Sequence, residues 1–134
     1  MSKYFLLNEA NLYLLKSQII TNKHIIVQNI GDICLHSHPI FPNAKEIIVR
    51  NCDKNYVYYH IDDRTFPNLK NLYLLSHPCE PSFFIRFTKP EQKILLSNHY
   101  KEYKERWAKN RTDVILIDPE IITQKIGEIH PKDY

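Results

Sequence analysis

The segment Phe41-Pro42-Asn43-Ala44-Lys45 returns 25 residues later as Phe66-Pro67-Asn68-Leu69-Lys70, and each copy runs into an apolar stretch. A fixed spacing of this size marks a repeat architecture. One supersecondary unit cannot bury its apolar face alone, so neighbouring units must stack to make a core. Pro42 and Pro67 lack a backbone donor, which suits a corner outside the main ladder.

The repetition extends beyond the corner. Asn11-Leu12-Tyr13-Leu14-Leu15 recurs as Asn71-Leu72-Tyr73-Leu74-Leu75, and His24 to Asn29 resembles Glu46 to Asn51. Asp113 to Asp118 has the same character. These short Ile-, Val- and Leu-rich runs, bounded by polar residues, read as buried strands near Leu12, Ile25, Ile47, Leu72 and Val114. Between them Ile33–His36, Tyr56–Ile61 and Ser82–Phe87 read as second extended segments, and residues 1 to 9 as a lead-in.

The pattern resembles a leucine-rich repeat. That family's spacing, apolar at positions one, four and six with Asn or Cys at nine, falls on Ala44, Ile47, Val49 and Cys52, and again on Leu69, Leu72, Leu74 and His77. Weaker copies place Ile25 and Val27 with Ile30, and Val114 and Leu116 with Pro119. The resemblance implies an α/β, leucine-rich-repeat-like solenoid with a short parallel sheet, and a non-enzymatic scaffold for protein–protein interaction.

Residues 88 to 111 break the repeat. Thr88-Lys89-Pro90-Glu91 has the form of a helix start. Leu96, Tyr100, Tyr103 and Trp107 then fall on one helical face. The expectation is a single domain over 1–134, with strands within 10–87 and 112–118, an amphipathic helix over about 89–109 and a tail over 119–134.

Composition narrows the class. At 43% hydrophobic and 25% charged, the chain is globular rather than disordered. No apolar run approaches the roughly 20 residues that span a bilayer. The start, Met1-Ser2-Lys3-Tyr4, does not read as a secretory signal, so an intracellular location with free thiols is expected for Cys34, Cys52 and Cys79. With only two glycines, loops that cradle phosphate are disfavoured.

Three constellations compete for function. Consecutive apolar residues in each strand leave a second apolar face. If Ile25, Ile47, Leu72 and Val114 point to the core, then Ile26, Ile48, Tyr73 and Ile115 line the other side, with Arg50 and Leu75 in the next row. An exposed row of this kind marks an interface. The expected partner surface is therefore Ile26, Ile48, Arg50, Tyr73 and Leu75, serving a protein partner or self-association. The alternative is that a helix or the N-terminal segment covers it.

The second constellation is the basic, aromatic run 88–111, with seven lysines and arginines against three acids. Lys101, Lys104, Arg106, Lys109 and Arg111 would there contact nucleic acid, although a plain amphipathic helix also accounts for them. The third is Cys34, His36 and His38, which would offer metal ligands on one side of a strand. Such a site would make the chain a metal- or Cys/His-dependent enzyme, but paired ligand spacings are missing, and buried cysteines with histidines on turns explain the pattern better. No nucleophile motif or oxyanion loop accompanies Cys79, Cys52, His77 or His60, and Asp62-Asp63 reads as a turn. No cofactor is expected.

Overall fold

The computed structural model describes residues 4–78, 81–87 and 89–127. Six strands, β1 (Tyr4–Leu7), β2 (His24–Gln28), β3 (Glu46–Arg50), β4 (Asn71–Leu74), β5 (Lys93–Ser97) and β6 (Val114–Ile117), form one sheet. Every neighbouring pair is parallel, and the spatial order is the chain order. Parallel neighbours must be joined by crossovers. Helix α1 (Glu9–Leu15) crosses from β1 to β2, and α2 (Lys54–His60) from β3 to β4. A 3-10 turn (Pro81–Arg86) lies between β4 and β5. Another (Asn98–Tyr100) leads into α3 (Lys101–Trp107) before β6, and α4 (Pro119–Gly127) closes the order.

The register aligns Phe5, Ile25, Ile47, Leu72, Ile94 and Val114 in one row, and Leu7, Val27, Val49, Leu74, Leu96 and Leu116 in another. Both rows join one core with Leu12 of α1, Tyr56 and Val57 of α2, and Phe83, Phe84 and Phe87. Each such fully buried side chain contributes about 1.5–3 kcal/mol relative to exposure.

The repeated Phe-Pro-Asn has three separable duties. Phe41 and Phe66 are buried and stack, ring centroids 5.1 Å apart at 14°. The prolines hold the corner. The asparagines tie each corner to the segment before the neighbouring strand: the Asn43 amide donates to Thr21 O at 3.4 Å, and Asn68 to Pro42 O at 2.7 Å. Ahead of β5 Lys89 does the same to Pro67 O at 2.8 Å. Beyond the strands' far ends, Asn29 and Asn51 take left-handed backbone (φ 57° and 51°), and Asn51 donates to Asn29 Oδ1 at 2.6 Å. Asparagine is among the few residues that adopt this conformation routinely.

Several expectations are corrected. Asn11–Leu15 is not a strand but most of α1, because Asn8 and Asn11 close a reciprocal capping box ahead of it. The first strand is instead β1, inside the expected lead-in. Tyr56–Ile61 is not extended; Asp53 accepts from Asn55 N–H at 2.8 Å and starts α2 there. Ser82–Phe87 is not extended either; residues 82–86 lie in the 3-10 turn Pro81–Arg86, and Phe87 follows it.

The expected helix over 89–109 is split. Lys93–Ser97 is β5, because Ile94 and Leu96 complete the core rows and the backbone fills the slot between β4 and β6. Only Lys101–Trp107 is α-helical, preceded by the 3-10 turn Asn98–Tyr100. Thr88, the expected cap, lies outside the described residues, as do Cys79 and positions 128–134. The short helical turn expected within 119–134 is α4, a helix over Pro119–Gly127.

Candidate interaction face of the sheet

Side chains one residue out of phase with the core rows face the other side of the sheet. The register places Leu6, Ile26, Ile48, Tyr73, Leu95 and Ile115 in a continuous row of six, one from each strand. Ile26, Ile48, Tyr73 and Ile115 belong to the row as expected from the sequence. Leu6 and Leu95 complete it, and were missed because β1 and β5 were not recognised. The runs Phe5-Leu6-Leu7 and Ile94-Leu95-Leu96, each flanked by polar residues, were the available signal.

The row is not uniformly bare. Ile26 and Ile48 are wholly buried in a second cluster with Tyr4 and Ile122, the last supplied by α4. Leu6, Tyr73, Leu75 and Ile117 pack partly buried against that cluster. Ile26 and Ile48 are therefore not free partner-binding residues, because α4 folds back over the row and seats Ile122 on it. Toward β6 the cover thins: Tyr73 and Leu95 are half-buried and Ile115 is exposed.

Polar groups flank the row. Arg50 Nε donates to Gln28 Oε1 at 2.7 Å across β3 and β2. On the other side Tyr4 OH donates to Glu46 Oε1 at 3.1 Å, and His24 Nδ1 stands 3.7 Å from the same oxygen.

The basic residues of 101–111 do not form one surface. The Arg111 guanidinium donates to the carbonyls of Phe84 and Phe87 and pairs with Asp113, pinning the 3-10 turn to the start of β6. That hydrogen bond holds the Asp113 carboxyl below its ordinary range. Lys104 Nζ donates to Arg111 O at 3.1 Å. Lys101, Arg106 and Lys109 are exposed. The expected aromatic stripe is also divided. Leu96 fills the core from β5, Tyr100 and Tyr103 pack against His77, and Trp107 is exposed beneath Arg106.

Cys34, His36 and His38 lie in an irregular crossover rather than a strand, so alternation does not bring them together. Cys34 and His36 are exposed. Among the described residues no three His, Cys, Asp or Glu side chains converge as a metal would need.

His38 instead joins a different group. Tyr56 OH donates to His38 Nε2 at 2.8 Å, and His38 Nδ1 donates to Pro39 O at 2.8 Å, which fixes the neutral tautomer. His60 stacks on it, centroids 4.6 Å apart at 10°, and its Nε2 accepts from Leu35 N–H at 3.0 Å. Burial lowers His38 to about 4, lowers His60, and raises Tyr56. A cavity of about 340 Å³ adjoins the pair, lined by Cys34, His36, Tyr59 and Arg64 among others. Both His38 nitrogens and His60 Nε2 are committed to bonds within the chain. The stack thus ties the β2–β3 crossover to α2.

A family model described as a family of unknown function, DUF5845, matches residues 25–108. Two uncharacterized proteins of Acanthamoeba polyphaga mimivirus are similar to this chain. One is 34% identical over 75% of this chain and 71% of its own length. The other is 32% identical over 78% and 71%. No solved structure matches. Among the described residues no helix is long and apolar enough to cross a membrane.

Proposed function

The chain belongs to DUF5845, a family of unknown function, and from that premise we propose that it is a leucine-rich-repeat-like solenoid acting as a non-enzymatic scaffold for protein recognition. The observation that carries this reading is the six-residue apolar row, one end of which already holds a helix of the same chain through Ile122. A face that seats one amphipathic helix has the shape and apolar character to seat another. The chain-ordered parallel sheet supports the solenoid reading, since each coil then meets only its neighbours.

The binding end lies toward β5 and β6, where Ile115 is exposed and Leu95 half-buried, with Tyr73, Leu75 and Ile117 partly buried beside them against the α4 cluster. This shifts the sequence-derived surface away from Ile26 and Ile48 and retains Tyr73 and Leu75. The occupant is an apolar helical segment, of a partner or of a second copy.

The test is a Tyr73→Glu/Ile115→Glu double variant, followed by native mass and by capture of proteins from cells that express the chain. The expected result is loss of self-association or of captured partner with the urea midpoint nearly unchanged. Unaltered mass and unaltered capture would reject this face.

A further inference from the structure

We propose that the edge where the strands begin is a second binding surface, for the sugar–phosphate backbone of a nucleic acid, formed by Lys23, Lys45 and Lys70 with Lys89 and Lys93. The first three each stand one residue before a strand, and the pairing of His24 with Glu46 and of Glu46 with Asn71 sets them side by side. The backbone ladder confirms the alignment of these three: Lys45 N–H donates to Lys23 O at 2.9 Å and Lys70 N–H to Lys45 O at 2.9 Å, while Lys93, in register with Asn71, stands one residue further along β5 and donates its N–H to Lys70 O at 2.7 Å. Adjacent strands lie about 4.8 Å apart, so the ladder is a short linear array of cations.

All five lysines are exposed, and among the described residues none is in a salt bridge. The ammonium of Lys89 meets a neutral carbonyl, that of Pro67. Nearby acids have partners other than these lysines: Glu46 accepts from Tyr4, Asp63 accepts from Gln92, and Asp113 pairs with Arg111. Glu91 is the exposed acid nearby with no hydrogen bond or salt bridge. Like charges held side by side across strands are destabilising. An anionic chain laid along the ladder would relieve that repulsion.

The chemistry favours phosphate over an acidic protein. Protein interfaces draw their energy from buried aromatic and aliphatic anchors. None of the large exposed apolar side chains lies on 21–24, 43–46, 68–71 or 89–93. A phosphate backbone needs no such anchor, because cations and counterion release suffice and base sequence is not read. The residues differ from those of the apolar row, so this surface stands or falls independently of the scaffold reading.

The test is fluorescence anisotropy of the full chain with a labelled oligothymidylate, across a series of KCl concentrations. Four or five phosphate contacts give a slope of log affinity against log salt of about −3 for a single strand. Lys45→Gln/Lys70→Gln should reduce that slope by about 1.4. If the double variant melts early, the single substitutions serve, each removing about 0.7. Lys101→Gln/Arg106→Gln/Lys109→Gln should leave the slope unchanged. Three results would overturn the proposal: no binding at low salt, loss of binding only in the helix variant, or equal competition by polyglutamate of matched charge.

Discussion

The chain contains Asn-x-x-Asn-Leu-Tyr-Leu-Leu twice, at 8–15 and at 68–75, and folds the two copies differently. The first is capped and wound into α1; the second turns a corner and becomes β4. The second Asn of the first copy, Asn11, donates its backbone N–H to Asn8 Oδ1 at 3.0 Å, while Asn11 Oδ1 accepts from Asn8 N–H at 2.9 Å. The equivalent Asn71 donates its N–H to Lys45 O at 2.9 Å, in the sheet. Asn68 reaches the previous corner, at Pro42 O, instead of capping anything.

The residues between the asparagines decide the outcome. Glu9-Ala10 supplies an acid in the first turn and the best helix former. Leu69-Lys70 follows Pro67 and sends an apolar side chain into the core. The shared tail is permissive, so its conformation is set by what precedes it and by which slot in the core is open.

The two copies bury different atoms, and the largest predicted effect exploits this. Leu12 and Leu72 are buried alike, but Leu74 is 0% exposed where Leu14 is 77% exposed. Leu74→Ala should destabilise the chain by about 2–5 kcal/mol, read as a fall in the urea midpoint. A loss under about 1 kcal/mol would mean that β4 packs less tightly than its burial implies.

Acid should separate the copies next. The crossover that delivers the second copy is α2, tied by His60 and His38, whereas α1 has no histidine. Their folded pKa values lie below the unfolded value, so the unfolded chain binds more protons. The associated stability is fully present above about pH 6.5 and is lost as pH falls toward about 4. For His38 this is on the order of 2–3 kcal/mol. Hydrogen exchange should show α2 and β4 losing protection between pH 7 and 4.5 more than α1 does. Equal loss in all three would locate the acid sensitivity elsewhere.

The same comparison explains what could be read in advance. Four strands, near Ile25, Ile47, Leu72 and Val114, were legible because each is a β-branched or Leu-rich run flanked by polar residues. The Phe-Pro-Asn corner was legible because both copies keep the same side chains for the same three duties. The helix at 11–15 was hidden by its identity with a real strand, and the deciding Asn8 lay in a segment set aside as a lead-in. β5 was hidden by the opposite error. Leu96 and the following aromatics happen to keep helical spacing, although Leu96 belongs to a strand, Tyr100 to a 3-10 turn, and only Lys101–Trp107 is α-helical. The apolar row was legible where its strands were. Its cover was not, because Ile122 reaches Ile26 and Ile48 from far along the chain, and no local pattern encodes that contact.

Smaller effects come from the asparagines. Asn8→Ala removes a helix cap and should destabilise by about 1 kcal/mol. Asn68→Ala removes a single exposed hydrogen bond, for which about 0.5 kcal/mol is expected. Urea midpoints of the two variants in parallel would check the order. An Asn68→Ala effect larger than that of Asn8→Ala would make the tie between corners, rather than the cap, the stronger local determinant.

The smallest effect is the sharpest test of the context argument. If the Asn-Leu-Tyr-Leu-Leu tail had an intrinsic role, truncating its fourth residue should matter in both copies. If context alone decides, Leu14 is a solvent-facing helix position where alanine has the higher helix propensity, and little apolar area returns to water on truncation. Leu14→Ala should therefore change stability by less than about 0.5 kcal/mol, against several for the same substitution at Leu74. A Leu14→Ala loss approaching that of Leu74→Ala would show that the first copy also buries this side chain, and the distinction between capped helix and paired strand would fail at its most exposed point.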